Sequence, residues 1–228
     1  METEIAHKIK EIDRKLEGTG ASLVAVSKFH PAQAIQDAYD AGQRIFGESR
    51  VQELLEKVPL LPSDIQWHFI GHLQTNKVKA LIPHVSLIES IDSERLLSLV
   101  DRESEKAGKT TRLLMQVHVA QEETKTGFLP SELLDYFKAR KFETLKATHI
   151  CGVMGMATNT DDSERILADF HAIRGIFDEI KSLCPDLRGF DTVSMGMSGD
   201  WPLAVECGST LVRIGTAIFG ERDYSQKQ

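Results

Sequence analysis

Short apolar runs rich in β-branched residues recur along this chain, separated by longer stretches whose apolar residues keep helical spacing. That alternation constrains the fold more than any other feature, because it is the pattern of βα units arranged around a parallel sheet. No internal repeat, low-complexity tract or Pro/Gly/Ser-rich linker interrupts it, so residues 1–228 are expected to form a single domain.

Ile5, Ile9, Ile12 and Leu16 lie at helical intervals and predict a helix leading into the first strand. Strands are predicted over 22–26, 44–48, 65–70, 86–90, 112–119, 148–154, 189–194 and 211–214. Helical segments fill the intervals. Pro31 opens one that ends near Gly42; another runs through Val51, Leu54, Leu55 and Val58 until Pro59 and Pro62 stop it. A short one follows over 76–82. Asp92 is expected to cap the helix carrying Leu96, Leu97 and Val100, and Ser131 the helix carrying Leu133, Leu134 and Phe137. Over 161–183, Ile166, Phe170, Ile173 and Phe177 mark one apolar face, and a last helix begins near 199–202. Eight strands, each followed by a helical segment, predict a closed (β/α)8 TIM barrel with an extra N-terminal helix. An open doubly wound sheet is the competing architecture, but no glycine-rich dinucleotide fingerprint follows the first strand.

Charge narrows the possible partners. The formal net charge is −7 with acids and bases interspersed, which argues against a nucleic-acid or anionic-membrane surface while leaving room for a local basic pocket. Cys151, Cys184 and Cys207 are an odd number without CxxC spacing, so buried free thiols are expected rather than a disulfide framework or a cysteine metal site. The first 20 residues lack the apolar core of a signal peptide, and no apolar run approaches the roughly 20 residues that span a bilayer. A cytoplasmic protein is expected.

In a barrel the functional face is the C-terminal end of the strands. The polar and glycine residues that end these strands are Ser27-Lys28, Gly47-Glu48-Ser49, Gly71-His72, Ser90, Gly152 with Met154, Ser194 to Gly199, and Gly215-Thr216. Lys28 directly follows an apolar strand. Position alone leaves two readings open, a solvated lysine or a partly buried amine able to form an imine with an aldehyde. The loops after strands seven and eight add context. Ser194-Met-Gly-Met-Ser-Gly199 and Arg213-Ile-Gly-Thr216 offer hydroxyls, glycines and a guanidinium where many barrels hold a phosphate. Arg213 interrupts an apolar strand, out of phase with Val212 and Ile214, so it is either a helix-facing arginine or an inward one that needs an acceptor.

Two other signals fail. His68 and His72 have a spacing that suits two metal ligands on a helix, but on a predicted strand positions four apart lie about 13 Å from one another. Gly108-Lys-Thr110 lacks the leading glycine of a phosphate loop, because position 103 is Glu.

Five blocks, Leu23 to Lys28, Arg44 to Glu53, Trp67 to Lys77, Ser194 to Ser198 and Val212 to Gly220, closely resemble the pyridoxal phosphate homeostasis protein family, which is built like the N-terminal barrel of alanine racemase. The resemblance implies that Lys28 carries pyridoxal 5′-phosphate (PLP) as a Schiff base. It also implies that Ser198, Gly215 and Thr216 hold the phosphate with Ser194 nearby, and that Arg213 lies by the pyridine nitrogen or the phosphate end. Facing the nitrogen, a permanently charged donor would keep it unprotonated and weaken the ring as an electron sink. Met154 and His68 are implied to line the ring. One position departs from the family pattern: Ser49 stands where Asn is usual.

The function implied is that of a carrier or buffer of PLP, with apo PLP-enzymes as possible recipients. The alternative is a weak PLP-dependent amino-acid racemase. Racemisation needs an acid or base on each face of the substrate carbon, and in alanine racemase a tyrosine from a second domain of the partner subunit supplies one. Here Tyr39, Tyr136 and Tyr224 lie in helical stretches or the tail, and no second domain is expected after strand eight. With that domain's dimer contacts missing, a monomer is favoured.

Overall fold

A computed structural model describes residues 3–122 and 124–221. The elements in chain order are α1 (Glu4–Leu16), β1 (Ser22–Val26), α2 (Ala32–Asp40), β2 (Ile45–Glu48), α3 (Val51–Lys57), β3 (Gln66–Phe69) and α4 (Val78–Leu81). They continue with β4 (Leu87–Ile91), α5 (Glu94–Ala107), β5 (Thr111–Val117), α6 (Pro130–Lys138), β6 (Thr148–Gly155) and α7 (Ser163–Leu183). Last come β7 (Thr192–Ser194), α8 (Trp201–Glu206), β8 (Leu211–Ile214) and α9 (Thr216–Phe219). All eight strands are parallel and pair in sequence order. The barrel closes where β8 returns to β1, with Leu23 opposite Val212 and Val24 opposite Arg213. The expected (β/α)8 barrel with an additional N-terminal helix is therefore the observed architecture.

Strand alternation divides the core in two. Leu23 and Ala25 of β1, with Val212 and Ile214 of β8, face the helical layer and join the main apolar cluster. Val24 and Leu211 face inward and meet Leu87, Leu114, Cys151 and Met154 inside the barrel. Arg213 has the phase of Leu211, so it points inward. The helices bury the stripes that their spacing predicts: Ile9, Ile12 and Leu16 of α1 are buried, as are Ile166, Phe170, Ile173 and Phe177 of α7. Each such side chain contributes roughly 1.5–3 kcal/mol on burial. The three cysteines are buried and free. No described helix is long and apolar enough to cross a membrane.

Several local expectations are corrected. The cap of α5 is Ser93, whose Oγ accepts the Leu96 N–H at 3.3 Å, while Asp92 is engaged by His72. Leu129 caps α6 with Pro130 as first helical residue, and Glu132 reaches back to the Leu129 N–H at 3.1 Å; Ser131 thus lies inside the first turn. The helix expected over 76–82 is a 3-10 turn over Thr75–Lys77, the four-residue α4, and a second 3-10 turn over Ile82–His84. Strand seven is three residues long instead of six.

One glycine is required by the sheet. Gly152 sits at a register shift between β5 and β6, with φ 156°, and a Cβ there would lie 1.7 Å from the Thr192 carbonyl oxygen of β7. Only a residue without a side chain lets these backbones meet.

Candidate functional site

Lys28 lies half-buried in the turn directly after β1, where the His30 N–H closes on the Ser27 carbonyl at 3.1 Å. The next residue, Phe29, has φ 67°, a left-handed backbone that costs a bulky L-residue on the order of 1–3 kcal/mol. Two contacts hold it there. Its N–H donates to Glu53 Oε1 at 2.5 Å, and the Arg50 guanidinium stands 4.8 Å from its ring centroid. His30 in turn stacks on Phe219 of α9, with ring centroids 5.2 Å apart.

Glu53 belongs to a buried polar cluster between the strand ends and α3. Lys57 Nζ donates to Glu53 Oε1 (2.7 Å), to Glu48 Oε1 (2.7 Å) and to the Ser27 carbonyl (2.9 Å). The Ser27 hydroxyl donates to the same Glu48 oxygen at 2.7 Å. Burial drives the Glu48 pKa up to about 7; Lys57 opposes this and the Glu53 charge adds to it. Glu48 Oε2 is buried without a hydrogen-bond partner among the described residues. Two carboxylates share one ammonium, so a single proton decides whether the cluster is neutral or negative.

A second polar chain runs through the barrel interior. Arg213 donates to Ser194 Oγ at 2.5 Å and to the Gly155 carbonyl at 2.9 Å. Ser194 donates onward to Glu89 Oε2 at 2.6 Å, and Glu89 Oε1 lies 2.7 Å from His68 Nδ1. Arg213 and Glu89 approach to 3.8 Å, so the buried cation has a counter-ion. Burial alone would raise the Glu89 pKa, yet the His68 hydrogen bond and charge, Arg213 and Ser194 outweigh it and hold the carboxyl low.

The loops after β7 and β8 meet at Ser198. Its Oγ accepts the Gly215 N–H at 3.2 Å and the Ala217 N–H at 3.4 Å, so two backbone donors from the start of α9 turn toward one oxygen. Thr216 between them is exposed. A Cβ at Gly215 would lie 3.0 Å from the Val26 carbonyl oxygen, so the end of β8 abuts the end of β1. Ser194, Ser198, Arg213, Gly215 and Thr216 thus gather at the ends of β7 and β8, beside the strand that leads to Lys28. Met154 is in register with Ser194 and packs in the inner cluster, while His68 joins the group through Glu89.

Other strand-end residues turn elsewhere. Ser90 donates outward to the Gly71 carbonyl at 2.5 Å, Glu48 faces α3, and His72 is exposed beside Asp92 at 3.0 Å. His68 and His72 therefore do not converge. Tyr39 donates to Asp64 at the surface, Tyr136 is buried in α6, and Tyr224 lies outside the described residues. Glu89 escapes a reading that picks Ser90 from the same strand. The signal was available: Glu89 shares the inward phase of Leu87, and a lone charge in an apolar strand is the same cue that singles out Arg213. Glu53 and Lys57 read as an ordinary i,i+4 surface pair, and only their contact with the β1 and β2 ends buries Lys57.

Comparison with known proteins adds a family to this geometry. The model of the alanine racemase N-terminal domain matches residues 2–223. The pyridoxal phosphate homeostasis protein of Pasteurella multocida is 37% identical over 227 residues, covering 97% of this chain and 94% of that one. PipY of Synechococcus elongatus, solved with PLP bound, has a TM-score of 0.87 and 37% identity over 95% of this chain and all of its own. Alanine racemase from Corynebacterium glutamicum shares the fold alone: the TM-score is 0.76 at 14% identity, and 63% of its length is covered.

Proposed function

The chain belongs to the alanine racemase N-terminal domain family, among its pyridoxal phosphate homeostasis proteins, and from this footing we propose that it holds PLP as a Schiff base on Lys28 and serves as a cytoplasmic carrier or buffer of it. When bound, PLP supplies an aldehyde that exchanges reversibly between amines. The observation that carries the reading is the gathering of three features at consecutive strand ends: the Lys28 turn on β1, the Gly215–Thr216 start of α9 after β8, and Ser194 and Ser198 at and beyond β7.

The residues fit a phosphorylated aldehyde. The Gly215 and Ala217 N–H groups converge on the Ser198 oxygen, and the Ser198 and Thr216 hydroxyls add O–H donors at the same place, a set that suits a phosphate dianion. Glu53 and Arg50 fix the backbone beyond Lys28 and so limit the positions its amine can take. Arg213, braced by Ser194, Gly155 and Glu89, lends a fixed positive charge to the floor of the site, with Met154 and His68 as its apolar and aromatic walls. The whole chain acts as one barrel unit, monomeric in solution, with PLP passing to apo PLP-enzymes.

Neither described tyrosine stands at this site, which disfavours efficient racemisation. Borohydride treatment of the PLP-loaded protein should fix the cofactor to the peptide that carries Lys28, and Lys28→Ala should abolish the adduct. An adduct retained on that peptide in the variant would overturn the assignment. Conversion of L-alanine to its enantiomer at about 1 s⁻¹ or faster, within the ordinary enzyme range, would overturn the carrier reading.

A further inference from the structure

We propose that a cationic groove running from Arg50 across the 71–77 loop to Arg102 is a docking surface for an acidic peptide segment of a protein that receives the cofactor. The inference deepens the carrier reading and rests on it for its purpose, although the binding itself needs no cofactor. Three adjoining hollows of about 290, 360 and 530 Å³ form the groove, and they share lining residues: His72 and Gln74 join the first pair, Asn76 and Arg95 the second. Arg50, Lys77, Arg95 and Arg102 line it against one carboxylate, Asp92, which His72 already engages at 3.0 Å. Lys77 and Arg95 are exposed and have no ion-pair partner among the described residues, and the Gln74 and Asn76 side-chain amides make no hydrogen bond among them. Arg102 contacts Glu103 only at 3.4 Å.

The loop is held in shape although, among the described residues, the side chains of Gln74, Asn76 and Lys77 make no hydrogen bond. Leu73 and Val78 anchor it in the core, and Ser90 grips the Gly71 carbonyl. Gly71 lies so close to β2 that a Cβ would come 2.1 Å from the Ser49 carbonyl oxygen. Donors presented by a fixed loop lose little entropy on binding. The block Trp67 to Lys77 thus sends only His68 toward the cofactor site and the remainder of its polar residues to this groove. At one end Arg50 also covers the ring of Phe29, the neighbour of Lys28, so a bound segment would lie beside the cofactor site.

The chain carries a formal net charge of −7, so acidic partners meet repulsion elsewhere on its surface. At physiological salt such fields fade within about 8 Å, and the local cations decide the contact. An elongated, open groove with amides between its cations suits an extended chain bearing several carboxylates better than a compact anion.

The test is fluorescence anisotropy of a labelled hexaglutamate peptide with the full chain, with and without PLP. Lys77→Glu combined with Arg95→Glu should weaken binding about tenfold or more, as expected when rim charges are reversed, and leave the cofactor absorbance unchanged. Lys138→Glu combined with Lys181→Glu, an equal charge reversal on α6 and α7, should leave peptide binding within about twofold. Equal losses in both double variants, or no loss in the groove variant, would overturn the proposal. So would displacement of the peptide by orthophosphate at the concentration at which unlabelled hexaglutamate displaces it. Lys28→Ala protein should bind the peptide as the wild type does, so a failure of the Schiff-base assignment is read separately.

Discussion

Replacing Glu48 with Gln isolates the proton on which the outer cluster turns. Glu48 is wholly buried, accepts from Lys57 and Ser27 through Oε1, and leaves Oε2 without a partner among the described residues. Its pKa is about 7 in the folded protein, against an ordinary 4.5, chiefly because burial penalises the carboxylate. The folded state therefore binds this proton more tightly than the unfolded chain. A group raised in this way stabilises the fold fully below pH 4.5 and loses that contribution as pH climbs to about 7. At about 1.4 kcal/mol per unit, the loss over the window is about 3 kcal/mol.

Gln has the shape of the protonated acid and does not titrate. Glu48→Gln should therefore match the wild type near pH 4.5 and become the more stable protein by about 3 kcal/mol at pH 8, since only the wild type pays to bury an ionised carboxylate there. The measurement is urea unfolding at four or five pH values, followed by the fluorescence of Trp67, which lies buried in β3 beside the cluster's strand. Titrating groups outside the cluster affect both proteins alike and cancel in the difference. Parallel curves from pH 4.5 to 8 would refute the reasoning. A gap opening in favour of the wild type would mean that Lys57 holds Glu48 ionised throughout.

Inside the barrel, Arg213→Met leaves Glu89 without its cation and should cost about 3–5 kcal/mol. Adding Glu89→Leu should recover much of that loss, and a coupling energy below about 1 kcal/mol in the denaturation cycle would show that the two are independent. Gly152→Ala places a methyl against the Thr192 carbonyl at a left-handed backbone position; it should lower stability by about 3 kcal/mol, and an unchanged thermal midpoint would contradict the close approach of β6 and β7.

The barrel was legible because each strand and helix carries its own period, and the burial of Ile166, Phe170, Ile173 and Phe177 follows from spacing alone. Arg213 was legible as a charge that breaks an apolar strand, but the sequence left its direction open between the helices and the interior, and the phase it shares with Leu211 turns it inward. What escaped depends on partners distant in sequence. Asp92 looks like the cap of α5, but His72, twenty residues earlier, engages it, and Ser93 takes the role. Lys57 has the spacing of a solvent-facing residue on a short helix, and it is buried because Glu48 and the Ser27 carbonyl reach it from two strand ends. The left-handed Phe29 follows from no local preference; Glu53 and Arg50 impose it from α3 and its cap.

These non-local contacts bear on what kind of site the barrel mouth can be. Two parts of the site are held firmly: Arg213 is buried and braced by Ser194, Gly155 and Glu89, and the turn after Lys28 is clamped through Phe29. Beyond β7 and β8 the mouth stays open, since Thr216 and Met197 are exposed and Ser198 is half-buried. Sites that stabilise charged intermediates gain from excluding water, which strengthens every electrostatic contact within them. An amine that takes up and releases an aldehyde has the opposite need, because water and incoming amines must reach the bond. A rigid floor under an open mouth meets that need, and it supports the carrier reading proposed above.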